Sequence, residues 1–378
     1  MSHYFDHAAT TPLRPGALGV WVEYAGRTGN PSAIHGAGRA GRKAVEEARE
    51  ILAEQLNVSP SEVIFTSGGT EADNLAVLGI ARARRRADPV RRTLLISPVE
   101  HHAVLDAAHH LADEGFTVLT MPVGADGGVD AEAAGELIRA HAADLAMVSL
   151  MNVNNETGVI QPVGALAELA RESSIPFHCD AVQGLSHLPA PVPAALSLSG
   201  HKIGGPMGVG ALVLRRDTPL APTSFGGGQE SRRRSGTVPV PLVQSFTQAV
   251  REHAASQTAE QSRLSGLSER LRSILRVVGA ETIGDNALRA PTITYALFPG
   301  CNGQDLVMML ESRGIDVSTG SACTAGAPQP SHVLLAIGRT AAQARSGLRF
   351  SLGWTTTDAD LDALAAALPS VVEHVRLS

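Results

Sequence analysis

From Val63 to Leu214 the sequence alternates short apolar runs with longer segments of helical spacing, and this alternation restricts the fold more than any other feature. Val63-Ile64-Phe65-Thr66 reads as a strand, and Ser67-Gly68-Gly69-Thr70 turns from it into a helix predicted over 71–84. Further strands are predicted over 93–97, 116–121, 144–150, 175–179, 196–199 and 209–214, with helices over 104–114 and 163–171 between them. Upstream, Ala44, Val45, Ala48, Ile51, Leu52 and Leu56 share one face of a helix predicted over 39–56. Strand-then-helix repeats of this kind build a mainly parallel sheet covered by helices on both faces, an α/β fold. Ligands in such sheets bind beyond the carboxyl ends of the strands.

Past Pro241 a long, mostly helical and polar segment runs to about Val278 and reads as a connector. A strand over 292–297, a helix over 305–313, an irregular loop over 318–330, a strand over 348–352 and a terminal helix over 357–375 complete the chain. That order predicts a smaller α+β domain. The division expected is a large α/β domain at 15–258 and a small one at 259–378 that also takes residues 1–14. A chain of 378 residues is long enough to bury both cores.

Composition excludes several classes. Hydrophobic residues are 44% and charged residues 18%, which argues against disorder. The net charge of −6 gives no global basic field for nucleic acid or an anionic membrane. No apolar run approaches the roughly 20 residues of a membrane span, and the N-terminus lacks the charged-then-apolar pattern of a signal peptide. The three cysteines, Cys179, Cys301 and Cys323, are too few and too dispersed for a disulfide framework or a zinc site, so a reducing, cytoplasmic setting is expected. Of two local basic clusters, the one at Arg82 to Arg92 reads as solvated surface. The other, Arg232-Arg233-Arg234, is placed to meet a phosphate, a partner chain or RNA. Gly36-Ala37-Gly38-Arg39-Ala40-Gly41 fits G-x-G-x-x-G, but Asn30-Pro31-Ser32-Ala33-Ile34-His35 before it is no strand, so the dinucleotide reading fails.

Lysine usage singles out one position. The chain has 31 lysines plus arginines, and only Lys43 and Lys202 are lysines. Arginine serves wherever a generic positive charge is enough, so a retained lysine can be needed as an amine that loses its proton and attacks a carbonyl. Lys43 lies among charges on a helix face. Lys202 follows Ser199-Gly200-His201 at a strand end; the plain alternative is a surface lysine. Two further strand ends supply what it lacks. The Ser67–Thr70 turn offers free N–H groups at a helix start, suited to a phosphate. Asp180 ends another strand, where it can hold a pyridine nitrogen protonated, with Gln183 near the same ring. Taken singly, these are a tight turn and a helix cap. A phosphate cradle, an acid for the ring nitrogen and a lysine for the aldehyde are together the handles that pyridoxal 5'-phosphate requires.

Seven segments in one order then bring the chain to a family: Phe65-Thr66-Ser67-Gly68-Gly69-Thr70-Glu71, Val99-Glu100-His101-His102-Ala103-Val104, Asn154-Asn155-Glu156, Asp180-Ala181-Val182-Gln183, Ser199-Gly200-His201-Lys202, Arg234-Ser235-Gly236-Thr237 and Ser318-Thr319-Gly320-Ser321-Ala322-Cys323-Thr324. The chain resembles the cysteine desulfurases of the NifS/IscS group, class V aminotransferases within the fold-type I pyridoxal phosphate enzymes, from Asp6 to about Gly353. Its Arg- and Ala-rich composition is similar to that of actinobacterial members.

The resemblance implies roles. Lys202 bonds the cofactor aldehyde. Gly69, Thr70, Ser199 and His201 hold its phosphate, with Thr237 reaching in from the second subunit of a homodimer. Asp180 pairs with the pyridine nitrogen and Gln183 with the phenolic oxygen. His101 stacks on the ring and serves proton movement. Asn155 and Arg349 grip the carboxylate of L-cysteine, which suits the bidentate geometry of arginine; a structural ion pair is the alternative for Arg349. Cys323 attacks the substrate sulfur, keeping it as a persulfide while L-alanine leaves. The persulfide then passes to an acceptor protein, for iron–sulfur cluster assembly or for tRNA or cofactor thiolation. Cys179 reads as packing and Cys301 as a turn residue.

Selenocysteine lyase and fold-type I aminotransferase are the enzymatic alternatives, and Cys323 counts against the aminotransferase. A non-catalytic sulfur-carrier partner is the other, opposed by Lys202, Asp180, Cys323 and Arg349 together. Gly69 stands where many members have alanine. Members with a longer C-terminal tail use it to dock the iron–sulfur scaffold, whereas this chain stops at Ser378, soon after its last predicted helix; its long loop around Cys323 resembles the group that serves scaffolds directly, so docking of a scaffold stays open.

Overall fold

A computed structural model describes residues 2–320 and 329–377. Strand β1 (His3–Tyr4) opens the chain, followed by α1 (Pro15–Ala25) and α2 (Gly36–Leu56). The alternating region holds β2 (Val63–Thr66), α3 (Gly69–Ala87), β3 (Thr93–Ile96), α4 (His102–Asp113), β4 (Thr117–Thr120), α5 (Ala131–Ala140), β5 (Leu145–Ser149), α6 (Val163–Glu172), β6 (Phe177–Asp180), β7 (Ala195–Ser199) and β8 (Gly210–Leu214). Then come α7 (Val240–Val277), β9 (Glu281–Thr282), β10 (Ile293–Leu297), α8 (Gly303–Glu311), β11 (Ile315–Asp316), α9 (His332–Ala336), α10 (Ala341–Arg345), β12 (Gly347–Ser351) and α11 (Asp358–Leu377).

The large sheet has the order β2-β8-β7-β6-β5-β3-β4, and only β8 runs antiparallel to its neighbours. The expected mainly parallel sheet is present, with the reversal at β8 added. Its strands are short apolar runs because both faces are covered. Ile64, Leu94, Ile96, Ala195 and Leu212 face α3 and α4. Phe65, Leu95, Phe177, Leu196 and Val213 pack with α1, α2, α5, α6 and the first part of α7. Each fully buried large apolar side chain stabilises this core by about 1.5–3 kcal/mol.

A second core collects the last part of α7, α8, α11 and the inner faces of β10 and β12. Its antiparallel sheet has the order β12-β10-β9. The start of the chain is stitched to this core: β1 pairs with β11, and Asp6 bridges Ser351. The expected boundary at 258 falls inside α7, which runs unbroken from one core to the other.

Helices α1 and α5 are not evident from spacing. In α1 apolar residues fall on both faces, with Ala17 buried and the large residues Leu18, Trp21 and Val22 outward, so the pattern has no polar face to set off an apolar one. The G-x-G-x-x-G segment opens α2 with no strand before it. There a side chain at Gly38 would stand 2.4 Å from the Ala33 carbonyl oxygen, so that glycine serves close packing of a turn. Of the arginines in the first basic cluster, Arg82 and Arg85 reach Glu114 across α4.

One loop departs from ordinary backbone. Glu230, Ser231 and Arg232 have φ of 48°, 55° and 63°. For residues other than glycine this costs about 1–2 kcal/mol each, so the surroundings must hold it.

Candidate active site

The carboxyl ends of β2, β3, β5, β6 and β7 converge on a cavity of about 370 Å³. It is lined by Gly69, Thr70, His101, Asn155, Asp180, Gln183, Ser199, His201, Lys202 and Arg349, among others. Of the site residues expected from sequence, Thr237 alone among the described ones is absent from this lining; it is exposed on the loop after Glu230. Cys323 lies outside the described residues, and Ser318 and Gly320, which lead to it, line the cavity.

Lys202 is placed by a tight reversal. β7 ends at Ser199, the chain makes one short turn over Gly200–Lys202, and it returns as β8. A side chain at Gly200 would stand 2.9 Å from the Pro206 carbonyl oxygen, so this turn needs glycine for close backbone approach. The amine points at the N-terminal strap, donating to the carbonyls of Ala8 at 2.6 Å and Ala9 at 2.9 Å. Burial, with the Arg349 cation adding to it and Asp6 and Asp180 opposing, lowers its pKa to about 8.

One end of the cavity is formed by the start of a helix. Gly69 and Thr70 begin α3, where the first N–H groups have no partner within the helix. Beside them, His201 Nδ1 is buried without a hydrogen-bond partner. Such an atom is costly unless something bonds to it.

Asp180 ends β6. Burial above all, then the nearby Asp73 carboxyl, pushes its pKa up to about 7. Its Oδ1 accepts from the Val182 N–H at 2.9 Å. Behind it His178 is clamped between Ser149 Oγ and Ser197 Oγ, both at 2.9 Å, and lies 3.5 Å from Asp73 Oδ1. Burial lowers the His178 pKa to about 4, so the ring is neutral. Gln183 Nε2 donates to the Ala8 carbonyl at 2.8 Å.

His101 caps α4, its Nδ1 accepting from the Ala103 N–H at 3.1 Å. The ring is accessible through the cavity mouth. Even so, lost solvation, followed by the Lys202 charge, lowers its pKa to about 4. Arg349, in the middle of β12, donates through Nη1 to the Asn155 carbonyl at 2.9 Å and through Nη2 to Asp6 at 2.7 Å. It is thus already in an ion pair, while its buried Nε has no partner. Tyr295 packs against Gly320 and donates to the Thr319 carbonyl at 2.8 Å, fixing the approach to the segment that follows.

Cys179 is fully buried and its thiol is pushed well up by burial, as packing requires. Cys301 is half-buried with Sγ 3.8 Å from the Val372 carbonyl oxygen. In the second basic cluster Arg234 pairs with Glu71 at 2.7 Å and Arg233 donates to the Ser61 carbonyl at 3.2 Å.

Asp73, His178, Glu100, Glu156, His332 and the Ala8–Ala9 strap went unassigned in the sequence. Asp73 is one helical turn beyond Gly69 and His178 two strand positions before Asp180, so both were recoverable from same-face periodicity. Glu156 binds Ser331 Oγ and is pushed up by burial, while His332 Nε2 is 2.9 Å from the Glu100 carbonyl oxygen. The strap acts through backbone carbonyls, for which side-chain identity carries no signal.

These residues fit pyridoxal phosphate: unpaired donors at a helix start with an orphaned imidazole, a strand-end carboxylate, and an amine with lowered pKa. Residues 3–364 match the class-V aminotransferase family. An IscS-like cysteine desulfurase of Mycobacterium tuberculosis is 45% identical over 381 residues, 99% of this chain and 97% of that protein. A cysteine desulfurase IscS of Dictyoglomus turgidum is 38% identical over 380 residues, 99% and 95% of the two chains. A solved NifS-like protein superposes with a TM-score of 0.90 at 32% identity, covering 99% of this chain and all of that one. The chain belongs to the class-V aminotransferase family and, within it, to the IscS-like cysteine desulfurases, which depend on pyridoxal phosphate.

Proposed function

We propose that the cavity around Lys202 is where this cysteine desulfurase takes sulfur from L-cysteine. The observation that carries the reading is the Lys202 amine, with its pKa near 8, beside the unpaired Nδ1 of His201 at the end of β7. The cofactor supplies an electron sink for negative charge at the carbon that loses a proton. The N–H groups of Gly69 and Thr70, with Ser199 and His201, bind its phosphate. Asp180 holds its ring nitrogen, Gln183 its phenolic oxygen, and His101 covers the ring. Lys202 would bond the aldehyde and, once the substrate displaces it, its amine would take the proton from the substrate α-carbon. Asn155 and the free Nε of Arg349 orient the substrate carboxylate. The Cys323 thiolate attacks sulfur; the sulfur–carbon pair stays with the carbon skeleton, which takes up a proton and leaves as L-alanine. The new sulfur–sulfur bond is a persulfide on Cys323, open to an acceptor thiol.

The same reading includes a homodimer, a sulfur-acceptor protein in iron–sulfur assembly or thiolation, a cytoplasmic setting, and two domains meeting within α7. Leu18, Trp21 and Val22 of α1 and nearby Met207 form an exposed apolar area that supports a second copy. Among the described residues no helix is long and apolar enough to cross a membrane.

The test is borohydride reduction of the cofactor-loaded protein, peptide mapping, and alanine release from L-cysteine. The expected result is cofactor mass on the Lys202 peptide and one alanine per sulfur transferred. Label elsewhere, or no alanine, would overturn the reading.

A further inference from the structure

The left-handed run Glu230-Ser231-Arg232 is the longest stretch of positive φ outside glycine among the described residues. It is fastened from beneath. The Glu230 carboxylate, 2% exposed, accepts Arg49 Nη2 at 2.7 Å, Arg49 Nη1 at 2.8 Å and the Phe65 N–H at 2.9 Å. Arg49 itself donates to the Val63 carbonyl at 2.6 Å. The loop is therefore bolted to β2 and α2 by a buried, fully engaged ion pair. Downstream, Gln229 Oε1 accepts the Gly236 N–H at 2.9 Å, and Arg234 grips Glu71.

All of this order serves a segment that does not reach the cavity of its own protomer. No residue from 228 to 237 lines it, and Gly236 and Thr237 are exposed. A strained backbone held this firmly is over-determined for presenting something, and what it presents faces outward. We propose that Glu230 is a positioning residue: clamped by Arg49, it sets the loop so that Thr237 reaches the phosphate end of the cavity in a second copy of this chain. The inference rests on the dimeric, cofactor-binding reading above. Its new content is that Glu230 acts in trans, on the partner's cavity, although every contact it makes is within its own protomer.

Mixed dimers separate the two possibilities. Co-expressed, differently tagged chains are purified as pairs in which one protomer is silenced by Lys202→Ala, leaving one live site. Pyridoxal phosphate is titrated into the apo pair and the band of the Lys202-bound cofactor is read. Glu230→Gln on the silent chain should weaken cofactor binding at the live site on the order of tenfold. The same change on the live chain should leave the affinity near that of the unsubstituted pair. Thr237→Ala on the silent chain should reproduce the first effect. An affinity loss that follows the live chain, or no loss in either arrangement, overturns the proposal. Glu230→Asp, which keeps the charge, takes its place if Glu230→Gln does not fold, with the same two outcomes. Sizing and cofactor titration of the unsubstituted protein test the underlying reading separately: a monomer, or no cofactor uptake, removes that reading and the proposal with it.

Discussion

Lys202 and Gln183 share one acceptor: the Ala8 carbonyl receives the lysine amine at 2.6 Å and the glutamine amide at 2.8 Å. Ala8 belongs to the strap that the second core holds, through the bond from its N–H to Ser351 Oγ at 2.8 Å. The amine that must leave this carbonyl to meet an aldehyde is thus held by the same segment that joins the two cores. A charged amine donating to two carbonyls is stable there; a neutral one is free to attack.

The first prediction concerns that release. Capture of pyridoxal phosphate by the apoprotein should level off above about pH 8 and fall about tenfold for each pH unit below it, because only the neutral amine reacts. The Arg349 charge lowers the Lys202 pKa and the Asp6 charge raises it. Arg349→Gln should therefore move the midpoint of the pH–rate profile up, and Asp6→Asn should move it down. Stopped-flow absorbance from pH 6 to 10 reads both. Shifts in the same direction would remove the electrostatic account.

The second prediction follows from Asp180. Its folded pKa is raised to about 7, whereas the unfolded value is near 3.8. Between these values the unfolded chain releases the proton more readily, so the group's cost to the apoprotein grows from pH 4 to 7 and is constant above. Asp180→Asn should stabilise the apoprotein at pH 8 by on the order of 4 kcal/mol, with the advantage gone below pH 4. The same substitution should abolish desulfuration, because a neutral amide does not hold a ring nitrogen protonated. Denaturant melts of apoprotein at the two pH values decide this. A less stable variant at pH 8 would mean that Asp180 is ionised at low cost.

How much of this was legible in the sequence depended on whether an interaction was local. The turn Ser67–Thr70 and the strand end at Asp180 are written in adjacent residues, and their geometry followed. Gln183 and Lys202 were visible as side chains, but their common partner is a backbone carbonyl some 175 residues away from Gln183. For Arg349 the sequence left both a carboxylate grip and a structural ion pair open; that the ion-pair partner is Asp6 was not legible, because a bridge of one residue between Asp6 and β12 leaves no pattern. Helix α1 was missed because its exposed apolar residues erase the signal that burial normally writes.

The third prediction concerns Gly69, at the start of α3. A side chain at Gly69 would stand 2.6 Å from Val182 Cγ2, and Val182 is two residues beyond Asp180. Gly69→Ala should therefore displace Val182 and weaken cofactor binding, at an overpacking cost of about 1–3 kcal/mol. Val182→Ala removes the obstructing methyl groups, so the double variant should bind the cofactor more tightly than Gly69→Ala alone. A double-mutant cycle on the dissociation constant measures the coupling. Additive effects would mean that the turn yields without touching Val182.

The last prediction separates cofactor chemistry from sulfur transfer. Cys323 is carried by the resemblance of its segment, and the flanking Ser318 and Gly320 line the cavity. The other thiols are poor substitutes: Cys179 is buried with its thiol pushed well up, and burial also raises that of Cys301. Neither offers a thiolate near neutral pH. Cys323→Ser should then keep the yellow, borohydride-sensitive cofactor, because no cysteine lines its cavity among the described residues. Sulfide release from L-cysteine under reductant should fall at least about a hundredfold, the order of loss that removing an activated nucleophile produces. Sulfide production at the unsubstituted rate, with a persulfide mapped to Cys301, would place the nucleophile beside α11 in the second core and sink the assignment.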